Sequence, residues 1–283
     1  MLCRIGDVEI WRILELNGPF LTPETCFPNA GAEAEEIVRA KTPEALDKRS
    51  GKLILPVQGF LLKTPDHVIL VDACVGNHKT NKTFEWWHMK TDGRFMAALT
   101  AAGVGPEDVD YVLCTHLHAD HVGWNTKLED GRWVPTFPNA RYLMPGADND
   151  AFSGSGAPAY NESVLPVIEA GKAELVSPGH QLGDHVTLVP TPGHTPGHVA
   201  VLVKSGDAEA VITGDAMHVT AQCWRPEWEM VYDQDGPKAA ASRRRMLEDA
   251  AEARRIVLGM HFTLPSIGRV EAEGDAFRWV DSL

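Results

Sequence analysis

Four potential metal ligands lie within six consecutive residues of this chain. They are His116, His118, Asp120 and His121, in the segment Thr115-His-Leu-His-Ala-Asp-His-Val-Gly-Trp124. Residues i and i+2 lie on the same side of an extended segment, so His116, His118 and Asp120 can converge from a strand end or a loop. Imidazole and carboxylate groups suit zinc, iron or manganese, and the lack of cysteine in the cluster disfavours a closed structural zinc site. The spacing therefore predicts an open, catalytic metal site.

Further candidate ligands follow apolar segments elsewhere in the chain. They are His194 and His198 after Val186–Pro190, Asp215 after Val211–Gly214, and His261 after Val257–Met260. The first cluster likewise follows Val109–Cys114, a segment typical of a buried strand. One histidine or aspartate after a strand is more often a cap or a satisfied core residue. Four such strand ends in one chain favour a shared metal site.

These residues resemble the metallo-β-lactamase superfamily, whose His-x-His-x-Asp-His signature is matched by residues 116–121. The later ligands of that family are matched by His194, Asp215 and His261. The resemblance covers most of the chain, beginning at Val57. It implies an α/β fold, a four-layer αββα sandwich with the metal site at one edge of its two sheets.

The resemblance also implies two divalent metal ions, with zinc the first choice and manganese or iron as alternatives. His116, His118 and His194 would hold one ion, Asp120, His121 and His261 would hold the second, and Asp215 would bridge them. Two ions about 3.5–4 Å apart can share a carboxylate and a hydroxide, and water bound to metal ionises near pH 7. The resemblance thus implies hydrolysis by a metal-bridging hydroxide. The candidate catalytic residues are Asp120 and Asp215, together with His218.

Supporting roles are expected for other residues near these ligands. Asp72 stands where the family usually has an aspartate before a turn, and we expect it to orient a ligand histidine through a hydrogen bond. His198 is expected to be structural, because His194 fills the ligand role. His218 is expected either to hydrogen-bond a leaving oxygen or only to pack. Cys74 is expected to pack, and Cys114 to be buried.

Four tryptophans follow the strands that lead to candidate site residues: Trp86, Trp87, Trp224 and Trp228. They could form the apolar wall of a substrate pocket, and ordinary core or dimer-contact positions are the alternative. Acyl-homoserine lactonases of the family place a tyrosine three residues after the bridging aspartate, where this chain has His218. Segments Gly214–Val219 and Met260–Arg269 look more like the branch that includes methyl parathion hydrolase and related esterases or lactonases.

The predicted function is therefore metal-dependent hydrolysis of a small ester, lactone or phosphotriester. A mononuclear-iron persulfide dioxygenase is an alternative, because such enzymes share the His-x-His-x-Asp-His signature. A glyoxalase-II-like thioester hydrolase is a second alternative, disfavoured because no basic C-terminal domain for glutathione is evident. A binding module without catalysis is disfavoured because no ligand is missing.

Composition limits the organisation and the partners of the protein. The chain has 283 residues and a net charge of −13, so nucleic acid is a poor partner and a small-molecule substrate is expected. Because the ligands are spread along the sequence, one domain over residues 1–283 is predicted. Residues 15–50, with Phe20 and Phe27, could form a lid or a dimer arm, and a homodimer is left open.

Cysteine usage and hydrophobic patterning bear on location. The five cysteines form no Cys-x-x-Cys pair, which favours a reducing compartment. The N-terminus shows no signal-peptide pattern and the sequence contains no long apolar run, so we expect a cytoplasmic protein without a membrane span. The basic cluster at residues 242–246 is expected on the solvated face of an amphipathic helix.

Hydrophobic periodicity and turn residues give a coarse secondary structure. Strands are predicted at about residues 7–14, 53–62, 67–72, 110–114, 140–144, 173–176, 185–189, 199–204, 210–213 and 256–259. Helices are predicted at about residues 34–40, 91–102, 160–170 and 237–253.

Overall fold

A computed structural model of the protein describes residues 1–281. Its strands are β1 (Cys3–Ile5), β2 (Val8–Pro19), β3 (Ile54–Lys63), β4 (Val68–Val71), β5 (Tyr111–Leu113), β6 (Thr126–Glu129), β7 (Arg132–Pro135), β8 (Arg141–Pro145), β9 (Ala173–Val176), β10 (Gln181–Leu182), β11 (Val186–Pro190), β12 (Val199–Ser205), β13 (Ala208–Ile212), β14 (Ile256–Leu258), β15 (Ile267–Glu273) and β16 (Ala276–Val280). Its α-helices are α1 (Pro23–Cys26), α2 (Glu33–Lys41), α3 (Arg94–Ala101), α4 (Ala119–Val122), α5 (Gly146–Phe152), α6 (Pro158–Ser163), α7 (Leu165–Glu169) and α8 (Gly236–Glu252).

The chain divides into two compact units. The first unit consists of Met1–Leu16 and Val57–His185, and the second of Asn17–Pro56 and the described chain from Val186 onward. One seven-stranded sheet has the order β1-β2-β3-β4-β5-β8-β9 and lies mainly in the first unit, and the other has the order β10-β11-β12-β13-β14-β15-β16. Each unit carries some of the predicted ligands.

Parallel pairing in the first sheet brings Asp72 next to the histidine-rich segment. β4 pairs in parallel with β5, with Val71 opposite Leu113, and the amide of Asp72 donates to the carbonyl of Leu113 at 2.9 Å. Both strands are short apolar runs with buried side chains, as parallel strands covered on both faces require. Because parallel strands end at the same edge, Asp72 and Thr115 leave the sheet side by side.

The second sheet collects its candidate ligands at one edge in the same way. β13 pairs in parallel with β14, with Ile212 opposite Leu258, so Asp215 and His261 follow strands that end together. β12 is antiparallel to both β11 and β13, which places the turn between β11 and β12 at that edge as well. This turn carries His194.

The predicted strands all occur, with shifted ends. The predicted helix at 160–170 is instead two short helices, α6 and α7, because Pro166 has no amide hydrogen and the helix restarts at Leu165. Six strands were not predicted: β1, β6, β7, β10, β15 and β16. β15 loses its apolar pattern in its exposed second half, so its sequence gives a weak strand signal.

Segment 17–56 packs into the second unit. Phe27 is fully buried, and its ring lies 5.1 Å from that of Trp228. Both belong to an apolar cluster with residues of α2, such as Val38. Phe20 packs against this cluster and makes an edge contact with Tyr232. Phe27 is therefore a core residue, and these contacts give the lid or dimer-arm hypothesis no support.

The expectation that the whole 242–246 cluster is solvated is wrong for Arg243. Arg245 lies on the exposed face of α8, but Arg243 is fully buried on the opposite face. Its Nε and Nη1 donate to main-chain carbonyls, at 2.7 Å for both Ala216 and Pro226. A sequence of three arginines gives no sign of which one points inward.

Candidate metal centre

In the first unit, a change from extended chain to helix divides the histidine-rich segment in two. His116 and His118 lie in the loop after β5, with ring centroids 4.6 Å apart. Helix α4 begins at Ala119, so Asp120 and His121 stand on a helical turn. The expectation that Asp120 extends the i, i+2 row is therefore corrected. Because the backbone changes conformation at Ala119, the side chains of Asp120 and His121 point in a different direction from those of His116 and His118.

Asp72 fixes the orientation of His121. Its Oδ2 lies 2.7 Å from Nδ1 of His121, and both side chains are fully buried. Asp72 also accepts hydrogen bonds from the amide of Thr115 at 2.7 Å and from its hydroxyl at 2.8 Å. Because Nδ1 is the nitrogen that contacts Asp72, Nε2 is the nitrogen of His121 that could bind a metal ion. This is the arrangement expected for a carboxylate that orients a metal-binding histidine.

A close approach of two main-chain segments holds the histidine-rich loop in place. The amide of Gly123 donates to the carbonyl of Cys74 at 2.7 Å, and the amide of Ala73 donates to the carbonyl of His121 at 2.7 Å. A Cβ atom on Gly123 would lie 1.8 Å from the carbonyl oxygen of Val75. Glycine at position 123 is therefore required for this contact.

In the second unit, three imidazole rings converge on the carboxylate of Asp215. Nε2 of His194 and Nε2 of His218 each lie 3.2 Å from Oδ2, and Nε2 of His261 lies 3.2 Å from Oδ1. All four side chains are at most 5% exposed. The two carboxylate oxygens thus face different histidines, which is the arrangement needed if one carboxylate is shared by two metal ions.

The outer nitrogens of the two ligand histidines are also held. Nδ1 of His261 lies 2.7 Å from the carbonyl oxygen of Pro56, and Nδ1 of His194 lies 2.8 Å from Oδ1 of Asp233. Burial lowers the pKa of His194, but the hydrogen bonds and charges of Asp215 and Asp233 outweigh it and raise this pKa to about 9. Binding of a metal ion at Nε2 would require the unprotonated nitrogen and would therefore release a proton.

Asp233 is a site residue that the sequence analysis missed. It lies in the loop between Cys223 and α8, far from any strand end, and its side chain is 1% exposed. Burial raises the pKa of Asp233, but the hydrogen bond and charge of His194 outweigh it and lower this pKa overall. No motif marks the position, because loops that bend back to a site leave no periodic signal.

His198 and His218 have different surroundings. His198 accepts a hydrogen bond from the amide of Asp215 at 2.8 Å through Nε2, and its Nδ1 lies 2.8 Å from the hydroxyl of Thr191. Both of its ring nitrogens thus support the main chain around the ligands. His218 stacks on His261 at 5.6 Å, and its buried Nδ1 has no hydrogen-bond partner among the described residues. Burial lowers the pKa of His218, although the charge of Asp215 opposes the shift.

The four tryptophans proposed for a pocket lie in different environments. Trp228 is 1% exposed and packs in the apolar cluster with Phe27, as the core alternative expects. Trp224 is partly buried and donates from Nε1 to Glu273 at 3.0 Å. Trp87 is buried against Trp86, whereas Trp86 is 42% exposed. Trp86 is thus the most exposed of the four tryptophans.

The chemistry of the donor set fits divalent metal ions. Each unit supplies buried imidazoles beside a carboxylate, and no cysteine stands among them. Neutral imidazole and carboxylate donors suit zinc, iron and manganese. The hydrogen bonds of His121 and His194 to Asp72 and Asp233 are the outer contacts that metal-binding histidines usually make.

Comparison with protein families identifies the fold family of the chain. The sequence model of the Metallo-beta-lactamase superfamily matches residues 54–259. The chain belongs to this superfamily. The matched range begins at β3 and ends just after β14, so it includes every predicted ligand except His261, which lies two residues beyond its end.

Among individual relatives, several lactonases of the superfamily are similar to this chain. An N-acyl homoserine lactonase from Bacillus sp is 30% identical over 173 residues, which are 57% of this chain and 64% of that protein. An N-acyl homoserine lactonase from Bacillus cereus is 26% identical over 219 residues, which are 74% of this chain and 82% of that protein. The chain thus spans less than two thirds of the length of the first relative.

Two solved structures of the superfamily are similar over nearly the whole chain. The hydrolase AbOPH has a TM-score of 0.82 at 24% identity, and the match covers 99% of this chain and 96% of that one. The dizinc quorum-quenching lactonase AidC has a TM-score of 0.79 at 20% identity, with the same coverage. At these identities the likeness shows the fold.

The comparisons confirm the predicted family and fold class, because two large sheets with helices match the metallo-β-lactamase sandwich. Several of the related proteins are named as lactonases or hydrolases. No helix within residues 1–281 is long and apolar enough to cross a membrane. The single domain, the homodimer, the cytoplasmic location and the individual site residues stay predictions.

Proposed function

We propose that this protein is a dinuclear metal-dependent hydrolase that cleaves small esters, with lactones as the first substrate class to test. The observation that carries the proposal is the carboxylate of Asp215, which has His194 at one oxygen and His261 at the other. A carboxylate in these surroundings can be shared between two ions. We further propose that the ligand sets of both units act together on these ions, with zinc as the first choice.

In this proposal, His116, His118 and His194 hold one ion, Asp120, His121 and His261 hold the second, and Asp215 is common to both. Two divalent ions would supply an activated water nucleophile and polarise the carbonyl oxygen under attack. The protein would orient the imidazoles so that Nε2 is the nitrogen available to metal, through the contacts of Asp72 with Nδ1 of His121 and of Asp233 with Nδ1 of His194.

Two further side chains would act near the reacting groups. His218 would donate from Nε2 to Oδ2 of Asp215, which lies 3.2 Å away. This contact would hold the carboxylate at a fixed angle. Asp120 keeps 16% exposure, in contrast to the fully buried His121, so it is the carboxylate of the set that water and substrate can approach.

The proposed substrate class rests on the relatives and on one difference from the lactonases, the residue at position 218. Several relatives are named N-acyl homoserine lactonase, and a related lactonase was solved with the product N-hexanoyl-L-homoserine at its metal centre. His218 stands where those enzymes are expected to have tyrosine, so other small esters and phosphotriesters belong in the same test. Trp86 is the exposed aromatic residue that could contact their apolar groups.

A substrate panel tests the proposal. The purified protein is stripped of metal, reloaded with zinc or manganese, and assayed on acyl-homoserine lactones, simple lactones, aryl esters and a phosphotriester. We expect turnover of at least one class that disappears on stripping and returns on reloading. The proposal is wrong if no class shows metal-dependent turnover. One iron per chain together with oxygen uptake on a glutathione persulfide would identify a dioxygenase instead.

A further inference from the structure

Arg243 is a buried arginine whose contacts lie around the candidate metal centre. Its side chain has no exposed surface. Its Nε donates to the carbonyl of Ala216 at 2.7 Å, and its Nη1 donates to the carbonyls of Pro226, at 2.7 Å, and Trp228. Arginine is almost never fully buried unless it is paired, because removing a charge from water is costly. The burial of the Arg243 side chain therefore needs a specific explanation.

The carbonyls that Arg243 binds belong to two segments that carry site residues. Ala216 directly follows Asp215, the carboxylate that faces three histidines. Pro226 and Trp228 begin the loop that leads to Asp233. One guanidinium therefore connects the turn of Asp215 to the loop of Asp233.

The same guanidinium also faces Asp233 itself. Nη2 of Arg243 lies 3.7 Å from Oδ2 of Asp233, and both side chains are at most 1% exposed. The amide of Met230 donates to that same Oδ2 at 2.8 Å. The other oxygen of Asp233 lies 2.8 Å from Nδ1 of His194. The chain of contacts thus runs from Arg243 through Asp233 to a predicted metal ligand.

Helix α8, which carries Arg243, also holds the main chain at His194. The hydroxyl of Ser242 donates to the carbonyl of Pro192 at 2.7 Å. A Cβ atom on Gly193 would lie 2.1 Å from the amide nitrogen of Ala239, so the helix and the His194 turn are in direct contact. The first half of α8 therefore fixes both the backbone and the ring of His194.

From these contacts we propose that Arg243 and Asp233 are positioning residues that set the metal affinity of the centre through His194 and Asp215. The inference rests on the proposed metal site but not on any substrate. Asp233 holds the imidazole so that Nε2 is the metal donor. Arg243 holds Asp233 and keeps the Asp215 turn at a fixed distance from it. Neither residue needs to contact the substrate.

The test compares metal affinity with fold stability in matched variants. Asp233→Asn keeps the size of the side chain and removes its charge, and Asp233→Glu restores the charge. Arg243→Lys keeps the positive charge but loses the donors to Ala216 and Pro226. Arg245→Met removes an exposed arginine from the same helix as a control. Each variant is measured for zinc affinity by competition with a chelator and for melting temperature without metal.

We expect Asp233→Asn to bind zinc about 10–100-fold more weakly and to melt below the wild-type temperature, because the buried guanidinium of Arg243 loses the carboxylate that faces it. Asp233→Glu should recover part of the affinity, and Arg245→Met should match the wild type. Arg243→Lys should also lose zinc affinity. If Arg243→Lys does not fold, Asp233→Asn and Asp233→Glu decide the result. Both of these variants keep the guanidinium of Arg243 and its contacts with main-chain carbonyls.

Wild-type zinc affinity in folded Asp233→Asn would overturn the inference. A folded Arg243→Lys that melts lower but keeps full affinity would overturn it for Arg243, which would then be a purely structural residue. These outcomes are independent of the substrate panel. Wild-type protein that binds metal but cleaves no substrate would refute the proposed function and leave this inference intact.

Discussion

Nδ1 of His121 lies 2.7 Å from Oδ2 of Asp72, and neither side chain has exposed surface. Asp72 has a φ angle of 59°, in the left-handed region that aspartate and asparagine tolerate better than most residues. The strand end therefore turns sharply at a residue that can accept the strain. This backbone conformation places the carboxylate of Asp72 within hydrogen-bond distance of the imidazole of His121.

Asp72→Asn should weaken metal binding without unfolding the protein. Asparagine tolerates the left-handed backbone at this position, but its neutral amide is a poorer partner for the imidazole of His121. We expect a loss of about 10–100-fold in metal affinity, measured by chelator competition. Asp110→Asn, which changes an exposed aspartate just before β5, is the control. Equal affinities in the two variants would show that Asp72 has no role in metal binding.

His218→Phe should separate metal binding from turnover. Phenylalanine fills the same space and can stack on His261, but it cannot contact Oδ2 of Asp215. Metal content should stay at the wild-type level, and the rate of hydrolysis should fall about 10–100-fold. Metal analysis and steady-state kinetics on the same preparation check both parts. An unchanged rate would leave His218 with a packing role only.

Lys79 should make stability depend on pH in a region away from the metal ligands. Its ammonium group is buried, donates to the hydroxyl of Thr126 at 2.6 Å, and lies 3.4 Å from the ring centroid of Trp133. Burial lowers the pKa of Lys79 to about 7, although the charge of Glu162 opposes the shift. The folded state therefore loses this proton at lower pH than the unfolded state does.

Between pH 7 and pH 10 the unfolded chain binds more protons at Lys79, so the contribution of Lys79 to the free energy of unfolding should rise with pH, and the wild type should gain stability relative to Lys79→Met. The gain should be about 4 kcal/mol at most, from about 1.4 kcal/mol per pKa unit. Lys79→Met should lack this rise, and Lys82→Met, an exposed neighbour, should keep it. Urea unfolding of the three proteins at both pH values gives the comparison. Parallel pH profiles for the wild type and Lys79→Met would contradict the buried charge.

The cysteine thiols should be inert in the folded protein. All five are free and buried. Burial raises the pKa of Cys3 to about 11 and that of Cys114 to about 12, so almost no thiolate exists at pH 8. Ellman's reagent should titrate no thiol in native protein and five after denaturation. A thiol that reacts quickly in the native state would show that the chain opens near that cysteine.

Much of the site could be predicted because its ligands follow apolar strands. The periodicity of β5, β13 and β14 marks where each strand ends. Parallel pairing brings the ends of β4 and β5 together in the first sheet and the ends of β13 and β14 together in the second. The break at Ala119 was harder to foresee, because a helix of four residues leaves too short a pattern. The prediction of an extended segment was correct for His116 and His118 and wrong for Asp120.

The supporting residues of the second unit were beyond sequence reasoning. Asp233 reaches His194 from a loop, and Arg243 is one of three adjacent arginines of which it alone is fully buried. Which arginine points inward depends on the angle at which α8 packs, and that angle is set by tertiary contacts such as Gly193 against Ala239. Trp228 likewise looks like a pocket residue in the sequence and is a core residue in the fold.

The most direct test of the two-metal account is the metal content and turnover of Asp215→Ala beside the wild type. Both proteins are reloaded with zinc, desalted, and analysed for metal per chain and for hydrolysis of the best substrate in the panel. The account predicts close to two zinc ions per chain and metal-dependent turnover for the wild type. For Asp215→Ala it predicts a clear loss of metal and no measurable turnover. Full metal content and full activity in Asp215→Ala would contradict it.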